Sequence, residues 1–181
     1  AGVTPLWWAY GFSPLLTWTV NRVVGDEGVQ VEVVNVLLQG LASPNAKNAR
    51  GSTPMHEAIY RCANPRDLPQ AILPETMAKC VQVLELLFAH GGDADSVNDG
   101  CRTLLGEVFF WGANLRQFWK RYNSVLLDCL LNHGASPNVL TKTRGSPGRG
   151  RLYPLQLCLE AESDGLPLEP GLMQRLVTRH A

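Results

Sequence analysis

No charge of either sign predominates in this chain, since sixteen Lys and Arg stand against sixteen Asp and Glu. The whole-molecule field that draws a protein to a nucleic acid or an anionic membrane is therefore missing, and such partners are not expected. Cysteine is sparse and unpaired in pattern: Cys62, Cys80, Cys101, Cys129 and Cys158 are odd in number, widely spaced, and form no C-x-x-C. That excludes a disulfide framework and a zinc knuckle, and predicts a reducing, intracellular compartment, cytoplasmic or nuclear. The first 21 residues carry no charged side chain, yet Pro5 and Pro14 interrupt them and no basic segment precedes them, so a buried start is favoured over a membrane span.

Active-site patterns are scarce as well. There is no G-x-S-x-G, no phosphate-cradling glycine loop and no acidic metal cluster. The pair His56–Glu57 would open a zinc-protease helix only with a second histidine one turn on, and Tyr60 stands there. The cysteines Cys62, Cys80, Cys129 and Cys158 fall on or beside apolar helix faces, where a thiol acts as a small hydrophobe. The segment GDEG at 25–28 reads as a solvated loop. No catalytic residue, metal site or cofactor is assigned.

What the chain does contain is a repeat. TPLWWA at 4–9, TPMHEA at 53–58, TLLGEV at 103–108 and YPLQLC at 153–158 start 49, 50 and 50 residues apart. A second motif trails each: LLQGLASPN at 37–45, LFAHGGDAD at 87–95, LLNHGASPN at 130–138, and a truncated LVTRHA at 176–181. A hydroxyl followed by proline in the first turn marks a helix start. Leucines at helical spacing stopped by Gly91 or Gly134 mark a helix end. Each unit thus reads helix, connection, helix, tight glycine-rich turn. His90, His133 and His180 recur at or before the second turn, so repetition accounts for them without catalysis.

These motifs resemble the ankyrin repeat family, whose T-P-L-H-x-A is matched at Thr53, Pro54, His56 and Ala58 and at Thr4, Pro5, Leu6 and Ala9, and whose L-L-x-x-G-A-[DS]-x-N ending is matched at 130–138. The sequence departs from the pattern where Trp7, Gly106 and Gln156 replace the histidine, Leu104 the proline and Leu41 the terminal glycine. It also departs in length, near 50 residues per unit against about 33, which predicts insertions between the paired helices at 11–30, 64–76 and 114–122, the last extending the following helix with Asn114 as its cap. The resemblance implies an all-α, ankyrin-like solenoid of helix pairs with turn and finger loops. It forms one domain over 1–181, with units of about 1–48, 49–98, 99–141 and 142–181, and its two ends suggest a piece of a longer protein.

In that family a groove made by turn tips and the outward positions after each first motif binds partners. By position this selects Arg50, Ser52, Tyr60 and Arg61 in the second unit, and Asp99, Arg102, Phe110 and Trp111 in the third. Phe12 and Glu160 extend the track at either end. Tyr, Trp and Arg are the side chains that most often dominate interface energy. The implied function is a non-catalytic module binding a protein or peptide. Two alternatives stand beside it: a reader of an acidic or methyl-lysine peptide using Trp111, Phe110 and Tyr60 as a cage, or a regulatory or substrate-recruiting segment of a larger enzyme. A basic loop at 142–151, with Lys142, Arg144, Arg149 and Arg151, is either a phosphate or acidic-peptide patch or a soluble connection. Oligomeric state is left open.

Overall fold

Thr53, Thr103 and Tyr153 each stand directly before a helix that opens a unit, and the hydrogen bonds there explain the motif. The computed structural model describes residues 6–25, 31–63, 74–112, 116–142, 151–163 and 171–178. Within them α1 spans Leu6–Gly25, α2 Glu32–Gln39, α3 Pro54–Ala63, α4 Pro74–Ala89, α5 Leu104–Gly112, α6 Arg116–Asn132, α7 Pro154–Ser163 and α8 Leu172–Thr178. The architecture is helical apart from one small antiparallel pair, β1 (Thr141–Lys142) with β2 (Arg151–Leu152), in which Lys142 lies opposite Arg151. Lys142 and Arg151, at the two ends of the basic loop, therefore face each other in this pair, and residues 143–150 lie outside the described residues.

Two rows of helices carry the stack. The first helices pack in the order α1, α3, α5, α7, the second helices in the order α2, α4, α6, and each first helix packs on its own partner. One apolar core runs between the rows. Leu16, Val20 and Val23 of α1, Met55 and Ile59 of α3, and Leu104, Leu105 and Val108 of α5 meet Leu84 and Leu87 of α4 and Leu126, Leu127 and Leu130 of α6. Cys62, Cys80 and Cys129 are buried in it, the first two among apolar neighbours and Cys129 with its Sγ 3.6 Å from Glu85 Oε1. Cys80 Sγ reaches the carbonyl of Ala58, and its thiol is pushed well up by its hydrogen bond with Cys62 and by burial. No helix among the described residues is long and apolar enough to cross a membrane.

The first expected insertion takes a different form. Residues 11–25 are not a loop between helices but the continuation of α1, whose Leu16, Val20, Val23 and Val24 all enter the core. As expected for 114–122, residues from Arg116 on extend the following helix, α6. An apolar run with helical spacing is cheaper to bury as an extra turn than to hold as a loop. Asn114, most of 64–76 and GDEG beyond Gly25 lie outside the described residues.

Three second helices end in the same way. The N–H groups of Ala42, Gly92 and Ala135 bond the carbonyls of Leu37, Leu87 and Leu130, and those of Leu41, Gly91 and Gly134 bond Leu38, Phe88 and Leu131. This double closure needs a left-handed residue at the middle position. Gly91 and Gly134 supply it at φ 86° and 85°, whereas Leu41 is forced to φ 66° while its side chain is 92 % exposed. Replacing Leu41 by glycine relieves about 1–2 kcal/mol of backbone strain, partly offset by the greater freedom of the unfolded chain. Leu41→Gly is expected to raise stability by about 0.5–1 kcal/mol in urea unfolding; a loss of stability would contradict the turn geometry.

Candidate functional site

The turns preceding α3 and α5 are built to one plan. Asn48 Oδ1 accepts the N–H groups of Arg50 and Ser52 at 2.9 and 3.0 Å, and Asn98 Oδ1 accepts that of Arg102 at 3.1 Å. The amide Nδ2 of each asparagine then points inward and donates to a buried carboxylate, Asn48 to Glu57 at 2.9 Å and Asn98 to Glu107 at 2.6 Å. An arginine completes each set: Arg50 reaches Glu57 at 3.0 Å and Arg102 reaches Glu107 at 2.8 Å. Asn21 of α1 adds a third donor to Glu57. The acid of the His–Glu pair is thus the hub that fixes the turn to its helix.

Each arginine, held by its glutamate, places its guanidinium beside an aromatic ring of the helix that carries that glutamate. Arg102 sits 4.3 Å from the ring centre of Phe110, and Arg50 5.8 Å from that of Tyr60. Between the two turns lies a pocket of about 610 Å³, lined by Arg50, Ser52, Tyr60, Asp99 and Arg102 together with His56, Glu57, Asn98 and Glu107. Of the ten positions selected from the sequence, five therefore share one cavity. Phe110 borders it through Arg102, and Arg61 is half-buried on α3 without lining it. Ser52 is buried, and its backbone closes the turn through the N–H of Asn48.

Phe12, Trp111 and Glu160 lie in α1, α5 and α7, and their side chains are outside the described residues. Lys142 and Arg151 are exposed on β1 and β2, where Arg151 reaches Cys101 Sγ at 3.2 Å; Arg144 and Arg149 are outside the described residues. The aromatic cage is altered by what surrounds it, since Arg102 already covers Phe110.

His56 is structural. Its Nδ1 accepts from Thr53 Oγ1 at 2.9 Å and from the Thr53 N–H at 3.3 Å, which assigns the proton to Nε2, and that nitrogen donates to the Arg102 carbonyl of the next unit at 3.1 Å. Burial outweighs the favourable carbonyl and holds its pKa below the ordinary 6.5. The unfolded chain therefore takes up this proton more readily, so the imidazole's contribution is complete above about pH 6.5 and declines as pH falls below it. The slope is bounded by one proton, about 1.4 kcal/mol per pH unit. Gln156 fills the same motif position in the fourth unit and accepts the Tyr153 N–H at 2.9 Å. His56→Gln should accordingly fold and show a shallower loss of stability than wild type between about pH 7 and pH 5, followed by chemical unfolding at each pH; parallel profiles would contradict the assignment.

The hub residues Glu107, Asn48 and Asn98 were not singled out in the sequence, and Glu57 figures there only as half of a zinc-protease pair. Their signal is present, an asparagine nine residues before a glutamate at 48/57 and again at 98/107. Among the described residues, one group of donors suits a metal, Glu85, Cys129 and His133, and it does not line this pocket.

No protein-family model matches the sequence, and no curated protein matches it. Fifty-five chains of solved structures match. One is an ankyrin repeat domain from Acinetobacter baumannii AYE, with 19 % identity and a TM-score of 0.42, covering 93 % of this chain and 98 % of that one.

Proposed function

We propose that the chain is a non-catalytic protein-interaction module, an ankyrin-like solenoid that receives a peptide or protein segment along the face formed by Arg50, Tyr60, Arg102 and Phe110. The observation that carries this reading is the repetition of one prepaid arrangement, asparagine and arginine on a buried glutamate with an aromatic alongside, in two consecutive units around one pocket. Side chains locked in this way lose little freedom on binding, and that raises affinity without further contact area. A guanidinium beside an aromatic ring is also a composition common at interface hot spots. The His and Glu groups of the pocket spend their hydrogen-bonding capacity on the scaffold, which supports display over chemistry. A role as the recruiting segment of a larger protein is compatible with this binding mode.

The test selects peptides from a display library on the immobilised protein and measures their affinity by fluorescence anisotropy. Tyr60→Ala and Phe110→Ala should each weaken selected peptides by at least about 2 kcal/mol, roughly thirtyfold, with unfolding midpoints near wild type. Selected peptides that bind both folded variants unchanged would sink the proposal.

A further inference from the structure

The second helices hold a polar cluster that the repeat does not explain. Glu85 lies on α4, Cys129 on α6, and His133 at the turn closing α6, its N–H still bonded to the Cys129 carbonyl at 3.2 Å. His133 Nε2 is 2.7 Å from one Glu85 oxygen and Cys129 Sγ is 3.6 Å from the other. The three donor atoms all lie within 4.8 Å of one another. The His133 ring is stacked on Phe88, one turn beyond Glu85, with centroids 4.2 Å apart and planes 11° from parallel.

The repeat frame gives this cluster its meaning. Aligning the leucines Leu37, Leu87, Leu130 and Leu176 makes Glu85 equivalent to Asn35 and Asp128, and Cys129 equivalent to Leu86 and Arg175. At the next junction along the stack, the acid Asp128 is answered by Arg175 at 3.3 Å. At the junction before, the corresponding pair is Asn35 and Leu86. Only between the second and third units does the frame set a carboxylate against a thiol and an imidazole. A cation placed there by a side chain elsewhere is, at this junction, replaced by a set of three metal-binding donors.

We propose that Glu85, Cys129 and His133 form a binding site for a zinc-class divalent ion that ties α4 to α6. Zinc takes sulfur at about 2.3 Å and nitrogen or oxygen at about 2.0–2.2 Å, so tetrahedral ligand atoms stand about 3.3–3.7 Å apart. The sulfur–carboxylate separation already matches. The shorter histidine–carboxylate contact opens to that spacing when the ion replaces the shared hydrogen, a movement available to the two more exposed side chains. The thiol releases its proton to solvent and binds as thiolate. The imidazole turns its Nε2 lone pair to the ion and carries its proton on Nδ1, while stacking on Phe88 keeps the ring in plane. Three protein ligands leave the fourth position to water.

Cobalt(II) titration of the reduced, full chain tests this directly. The expected result is a thiolate-to-cobalt charge-transfer band with the visible bands of a four-coordinate ion, displaced by zinc. His133→Ala, a surface change that leaves the core intact, is expected to weaken cobalt binding at least tenfold, and Cys129→Ser to abolish the charge-transfer band, while Cys101→Ser retains it. Zinc should raise the melting temperature of wild type and not of Cys129→Ser. No charge-transfer band in wild type, or one that survives in both Cys129→Ser and His133→Ala, overturns the site.

Discussion

Gly106→Ala is expected to lower the stability of the protein by about 3 kcal/mol, although alanine is the better helix former. Gly106 occupies the place of His56 one unit on, and the space an imidazole fills in the second unit is taken in the third by Thr141 from β1. A methyl group at Gly106 would be driven onto the Thr141 hydroxyl, with the Thr141 Cβ at 2.7 Å and Cγ2 at 2.9 Å. That hydroxyl oxygen accepts the buried Thr103 N–H at 3.2 Å, the counterpart of the bond from Thr53 to His56. Overpacking here costs about 1–3 kcal/mol, and pushing Thr141 aside strands a buried donor at a further 1–3 kcal/mol. Helix propensity returns at most about 1 kcal/mol. Urea unfolding followed by far-UV circular dichroism measures the balance. Thr141→Gly in the Gly106→Ala background should recover the steric part but not the lost acceptor, and a stable single variant would refute the contact.

The second large effect falls on Glu107. Its carboxylate is 3 % exposed and receives Asn98 Nδ2 and Arg102 Nε. Glu107→Ala leaves a buried amide and a half-buried guanidinium without their acceptor, and is expected to cost about 3–4 kcal/mol. Glu57→Ala should cost less, about 2–3 kcal/mol, because its partner Arg50 has a side chain 67 % exposed and water replaces much of what the carboxylate gave. Loss of the hub also loosens the turn. Amide exchange at Arg102 and Thr103 should then accelerate in Glu107→Gln, where the charge is gone but an acceptor oxygen remains. Equal stability of Glu107→Ala and wild type would remove the hub from the account.

These two sites show why the repeat frame was legible and its contents only partly so. Thr53, Thr103 and Tyr153 open helices, and Gly91 and Gly134 close them, because the chemistry of a helix end is local: a hydroxyl, a missing N–H and a left-handed residue act within one turn. Leu41 and Gly106 read from the sequence only as departures. The first is a strained left-handed leucine performing the glycine's task, the second a vacancy for a threonine 35 positions later in the chain. Neither meaning is available locally.

The same distinction holds for the candidate site. Arg50, Tyr60, Asp99 and Arg102 are among the groove positions that the resemblance to ankyrin repeats implies, and the packing of the two units brings these four to one pocket. For Glu57 the sequence excludes a zinc-protease pair, because Tyr60 stands where the second histidine would, but only the packing shows the asparagine and arginine of the preceding turn converging on it. Nor could the inserts be judged from length alone: the apolar run in α1 became helix because Leu16, Val20 and Val23 find a core to enter.

By itself the sequence determined the periodicity, the helix ends and the absence of a surplus charge, all of which depend on residues near one another or on simple totals. The tertiary structure alone decided which polar side chains are spent on the scaffold, which junction carries Cys129 and His133 against Glu85, and which face retains a pocket. Those outcomes depend on distances between residues some 40 to 50 positions apart, and only the packing of one unit on the next sets them.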